Sequence, residues 1–209
     1  VRKTGNGSWA RVALQARAEA TRRRIIETAV ELFGQIGYGE TGLADVLQRA
    51  GISKGAFYYH FDSKEAVATA IIDEFNNRAV TAVEENFDPA APTLDGIMKS
   101  TFAVQALMRR DPTTQIGQKL CQALNQVSSA GSRVYTGWTA AFVEMAGGVA
   151  KAGGLRPDVD PVDVGEAIWA GGLFGRGPGE GVMKRGVPDM HTDFAYSVLA
   201  EEYGLVFSL

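Results

Sequence analysis

TGLADVLQRAGISKGAFYYHF, residues Thr41 to Phe61, is spaced as two short helices joined by a tight turn. Leu43, Val46, Leu47 and Ala50 recur at helical spacing, Gly51 follows as a C-terminal stop, and Ile52 is an apolar residue within the turn. A second helix opens at Ser53, whose hydroxyl suits the free amides of a first turn. Lys54, Gly55, Tyr58 and Tyr59 fall towards its start and outer face, whereas Ala56, Phe57 and Phe61 are placed to pack inward. In a helix-turn-helix of this kind the second helix enters the major groove of B-DNA and its N-terminal residues meet base edges.

Ahead of this pair, the spacing of Ala18, Ile25, Ile26, Ala29, Leu32 and Phe33 predicts a first helix from about Gln15 to Ile36, stopped by Gly37. Arg17, Arg22, Arg23 and Arg24 cluster in its first half, where a helix lying across the DNA backbone neutralises phosphates. Residues 1–14 are polar and glycine-rich at their start and read as a flexible basic arm. Thr41 is the expected start of helix 2, with a hydroxyl beside free amides that suits a phosphate oxygen. Lys54 is the first candidate for a base contact, since an ammonium near a helix start reaches guanine O6 or N7. Gly55 allows close approach, Tyr58, Tyr59 and His60 offer rings and polar groups to the backbone or to thymine methyls, and Lys64 is placed for a flanking phosphate. Asp62 and Glu65 form an expected capping box for a fourth helix reaching about Val83.

The stretch GYGETGLADVLQRAGISKGAFYYHFDSKE, Gly37 to Glu65, resembles the DNA-binding domain of the TetR family of bacterial repressors. The likeness runs from Thr21 to Glu65 and is carried by AG-x-SKG-x-x-Y-x-HF. Members often have a second hydroxyl after the one at Thr41, whereas here the residue is Gly42. The resemblance implies an all-α fold: an N-terminal three-helix DNA-binding domain, residues 15–65, followed by a helical ligand-binding and dimerisation domain, residues 66–209.

At 209 residues, 45% hydrophobic and 22% charged, the chain has the composition of a soluble globular protein. No apolar run approaches the ~18 residues of a membrane span, and the start lacks a signal-peptide core, so a cytoplasmic protein is expected. Cys121 is the only cysteine and His60 and His191 the only histidines, so neither an internal disulfide nor a zinc centre is expected, nor any other cofactor. Charge is uneven. Residues 1–65 hold 10 Lys/Arg and 7 Asp/Glu, net +3, and residues 66–209 hold 11 and 17, net −6, within a total of −3. A basic front on an acidic body fits a nucleic-acid-binding head joined to a part with another task.

Beyond a proline-marked break at Asp88 to Thr93, the pattern predicts helices over about 94–110, 113–129, 132–153, 161–174 and 191–207. The last two are rich in small and apolar residues and are the expected homodimer interface, which would place two recognition helices about 34–36 Å apart on a palindromic operator in double-stranded DNA. GRGPGEG, Gly175 to Gly181, follows a predicted helix and lacks a following Lys-Ser/Thr, so it reads as a flexible connection rather than a phosphate loop. Phe102, Gln105, Leu124, Tyr135, Trp138, Phe142 and Trp169 are the candidates for an apolar pocket with a few polar anchors, suited to a small amphipathic ligand. The runs QARAEATR, from Gln15, and VYTGWTAAF, from Val134, look like the γ-butyrolactone receptor branch of the family. That likeness implies Trp138 as a pocket residue. A multidrug-type sensor remains open, with Glu144 or Glu166 required to face inward. An α-helical enzyme using the apolar cavity, and a DNA-binding protein whose body is packed solid, are open as well. No array of nucleophile and base supports the enzyme.

Overall fold

The computed structural model describes residues 6–124 and 129–169. Among these residues the chain forms eight helices: α1 (Asn6–Gln35), α2 (Leu43–Ala50), α3 (Lys54–Tyr58), α4 (Lys64–Glu84), α5 (Leu94–Arg110), α6 (Pro112–Leu124), α7 (Ser129–Lys151) and α8 (Pro161–Ala167). The all-α expectation therefore holds. The expected helix over 191–207 and the connection over 175–181 lie outside the described residues.

Three helix ends differ from the sequence reading. α1 starts at Asn6 rather than Gln15, so residues 6–14 are helix rather than arm. From Trp9 to Ala20 there is no proline or glycine, and Ala, Leu, Gln and Arg favour helix without tertiary help. α2 is capped at Gly42 rather than Thr41: Gly42 N–H donates to Asp45 Oδ2 at 2.7 Å, so a carboxylate three residues ahead replaces the hydroxyl. α4 is capped by Ser63, whose Oγ accepts from Ala66 N–H at 3.1 Å, rather than by the Asp62 and Glu65 pair.

The chain divides into two compact units. One holds residues up to Phe75 together with Pro112–Leu120, and the other holds Asn76–Asp111 and residues from Cys121 onward. The division falls within α4, ten residues beyond the expected boundary at 65/66. Val67, Ala68, Ile71, Ile72 and Phe75 are all buried, so the first half of α4 is core of the first unit rather than linker. With them, Ile25, Ile26, Ala29, Leu32 and Phe33 of α1, Val46 and Ala50 of α2, Phe57 and Phe61 are buried. Full burial of an apolar side chain such as Phe57, 0% exposed, contributes about 1.5–3 kcal/mol. α6 joins this unit through Gly117, where an added Cβ would lie 2.5 Å from Phe75 Cβ and 2.8 Å from Ile71 O. Only a glycine lets the two backbones come so close.

The second unit is built on α7, whose Val134, Trp138, Phe142, Met145, Ala146 and Val149 are buried, with Ile97 and Val104 of α5 also buried. α8 lies against α7 at backbone distance. A Cβ on Gly165 would meet Val143 Cα and N at 2.5 Å. Asp160 caps α8 by accepting from Val162 N–H at 2.8 Å, and Pro161 occupies its first turn, where a missing N–H costs nothing. No helix among the described residues is long and apolar enough to cross a membrane.

Candidate nucleic-acid interface and aromatic cluster

The turn between α2 and α3 is set by local chemistry. Gly51 sits at φ 60°, a left-handed conformation that ends α2, and Ile52 N–H donates to Leu47 O at 3.1 Å. Arg24 Nη2 donates to Gly51 O at 3.1 Å, tying α1 to the turn. Ser53 caps α3, its Oγ accepting from Ala56 N–H at 3.1 Å. α3 is a single-turn helix with opposite faces of opposite character. Phe57 is buried against Phe61, their ring centroids 6.1 Å apart, while Lys54, Gly55, Tyr58 and Tyr59 are exposed. Tyr59 is 77% exposed and stands edge-on to His60 at 4.9 Å, an arrangement that the ring quadrupoles favour. Lys54 Nζ lies 5.9 Å from the Tyr58 ring centroid. The cap, the ammonium and the two phenols are thus all exposed to solvent.

Three of the expected contact residues have an additional structural task. Arg22 stacks its guanidinium 5.1 Å above the Phe61 ring, which leaves its fork half-exposed beside α3. Thr41 is 0% exposed, and its Oγ1 donates to Gly37 O at 2.7 Å. Its hydroxyl therefore closes the turn at Gly37, φ 90°, instead of opening α2. Lys64 Nζ donates to Tyr38 O at 2.8 Å and Thr41 O at 2.7 Å and lies 4.3 Å from the Tyr38 ring centroid. An ammonium has three donors, and two of Lys64's are spent on this loop. Burial, and secondarily the Glu65 carboxylate, push the Tyr38 phenol above its usual range. Arg49 of α2 and Glu31 of α1 form a half-exposed ion pair.

In the second unit, three of the seven pocket candidates come into ring contact. Trp138 and Trp169 are stacked at 6.2 Å with an interplanar angle of 11°, Phe142 and Trp169 at 6.2 Å and 27°, and Trp138 and Phe142 at 5.9 Å and 35°. Gln105 and Leu124 are buried and Phe102 is half-buried on α5 and α6, while the Tyr135 side chain lies outside the described residues. Sequence reasoning missed Asn76. The Trp138 indole N–H donates to Asn76 Oδ1 on α4 at 3.1 Å, and nothing local marks an asparagine in mid-helix for that partner. Gly117 and Gly165 were missed too, although a glycine inside a helical pattern is a signal for close approach. Glu144 and Glu166 are both exposed. Cys121 is buried, its Sγ donating to Gly131 O at 3.5 Å, and burial pushes the thiol up to about 11.

These features define a protein with a helix-turn-helix in its first unit and a helical second unit. Residues 25–71 match the profile of bacterial regulatory proteins of the tetR family. The chain is 32% identical over 151 residues to the A-factor receptor protein of Streptomyces griseus, taking in 72% of this chain and 52% of that protein. Its fold matches that of a gamma-butyrolactone receptor (ArpA-like protein) with a TM-score of 0.66 and 27% identity, over 74% of this chain and 80% of the other. With CprB of Streptomyces coelicolor, solved in complex with its operator sequence, the TM-score is 0.63 at 27% identity, over 74% and 76%. Residues 25–71 are thus a DNA-binding domain of the tetR type. The chain's carboxy-terminal part has a different kinship: residues 162–208 match the profile of a cell cycle protein family that includes FtsW. Over 43 residues it is 86% identical to the probable peptidoglycan glycosyltransferase FtsW of Caulobacter vibrioides, which is 21% of this chain and 11% of that protein. The chain thus spans about half the length of one curated relative and about a tenth of the other. The GRGPGEG stretch and the helices expected to form the dimer interface fall within or overlap the cell cycle match.

Proposed function

We propose that the chain is a ligand-responsive transcriptional repressor that binds a palindromic operator as a homodimer and is released by a small amphipathic effector of the γ-butyrolactone type. The observation that carries this reading is α3 itself: a Ser53-capped turn whose buried Phe57 anchors it while Lys54, Gly55, Tyr58 and Tyr59 project into solvent. The A-factor receptor and gamma-butyrolactone receptor likenesses support the effector class, and the operator complex of CprB supports duplex DNA as the partner. Exposed Glu144 and Glu166 favour a lactone over a cationic drug, because a buried cation needs a carboxylate facing it.

Release follows from linkage. An effector that binds one arrangement of the body more tightly than the other lowers DNA affinity by the ratio of its two affinities. α4 carries residues of both units, and the Trp138 to Asn76 hydrogen bond sits on that helix at the start of the second. A ligand that moves Trp138 therefore acts on the helix that continues back to Lys64. We read residues 1–160 as the regulator and residues 162–208 as a segment of cell cycle type joined to it.

Gel-shift titration against DNA from the chain's own upstream region tests the proposal, with butyrolactones and cationic drugs added in parallel arms. Binding to a palindrome that a lactone abolishes and Lys54→Ala weakens about fivefold or more, as loss of a base contact of about 1–3 kcal/mol requires, is the expected result. Absence of sequence-specific binding, or full affinity in Lys54→Ala, would remove the assignment of α3.

A further inference from the structure

The aromatic cluster is closed by a residue from the cell cycle segment. Trp169 lies inside the 162–208 match, yet it is 2% exposed and stacks on both Trp138 and Phe142 of α7. Those two rings are 6% and 0% exposed, so their faces are closed to solvent. The docking is built into the backbone. Gly165 seats α8 against Val143 with no room for a Cβ, and the Asp160 cap sets where α8 begins, so Trp169 is held over the rings of α7.

We propose that Trp169 is an intramolecular occupant of the effector site, competing with the ligand for the faces of Trp138 and Phe142. This inference rests on the effector reading given above. An indole is a flat apolar ring with one polar N–H, the same class of chemistry as a small amphipathic effector. A ligand must first displace Trp169, and its apparent affinity falls by the fraction of molecules in which the ring is out. The joined segment thereby sets how much effector the regulator needs, and it does so through one side chain.

The probes are indole and γ-decalactone, titrated calorimetrically into the wild-type chain of 209 residues, Trp169→Ala and Trp169→Phe. Trp169→Ala is expected to bind at least one probe tenfold or more tightly than the wild type, and Trp169→Phe to stay near the wild type because a ring still covers the site. Equal affinities in all three, or no binding by any at millimolar probe, would overturn the proposal. Because removal of a buried tryptophan can prevent folding, Trp169→Leu is made alongside, and the wild type is labelled with 5-fluorotryptophan. Among three tryptophan resonances, that of Trp169 must move when γ-decalactone saturates the site. Saturation that leaves it in place overturns the proposal without any variant. Gel shifts on the same preparations separate the two claims: probe binding gained without DNA binding would sink the repressor reading and leave the occupant in place.

Discussion

Lys64 is the residue whose part in this protein changed most between sequence and structure. Its two acceptors lie 26 and 23 residues away along the chain, so no local pattern announces them. Replacing it with alanine strands two carbonyls and removes the cation from the Tyr38 ring. The expected destabilisation is about 2 kcal/mol, a loss of several degrees in the melting temperature of the head. An unchanged melting curve with weakened DNA binding would instead make Lys64 a phosphate contact alone. Ser53, by contrast, was legible from the sequence because a cap acts within three residues. Cys121 gives a second test at this scale. Burial holds its pKa near 11, above the 9.0 of an exposed thiol, so the unfolded chain ionises first as pH rises. Its contribution therefore lowers stability between about pH 9 and 11 and is neutral below that window. At pH 8, alkylation by iodoacetamide should be slow in the folded protein and complete in denaturant, and rapid native labelling would show that the α6–α7 packing opens readily.

At the scale of elements, the junction of α4 and α6 rests on Gly117. A methyl group there meets Ile71 O and Phe75 Cβ, both on α4 and neither at the end of a flexible chain. Gly117→Ala is expected to cost about 1–3 kcal/mol in chemical denaturation, in spite of alanine's better helix propensity. A stabilised variant would mean that the two helices separate at no cost. The helices themselves were largely readable: α5 runs over Leu94–Arg110 as its spacing and flanking prolines predicted, since Thr93 caps it and Asp111 begins a break. The start of α1 was not: propensity extends it, exposed, beyond its apolar stripe.

For the whole molecule, the excess of positive charge in residues 1–65 makes a statement about salt. If Arg17 and Arg23, both exposed, each neutralise one phosphate in both heads of a dimer, the slope of log affinity against log salt should be roughly −3.6. Measuring operator binding between about 50 and 200 mM salt checks this, and a slope near zero would rule out the basic face as the docking surface. The helix-turn-helix, its capping serine and the exposed Lys54 and Tyr59 were determined by the sequence itself, because caps, turns and amphipathic spacing act over a few residues. The sequence also carried the likeness of this domain to the tetR type, through the motif from Gly37 to Glu65. Tertiary structure alone decided that Lys64 braces the Tyr38 loop, that Asn76 receives the Trp138 indole, that Gly117 joins α4 to α6, and that Trp169 covers α7. Each of these depends on groups far apart in the chain, and their meeting is set by which helix faces pack together, which no local spacing encodes.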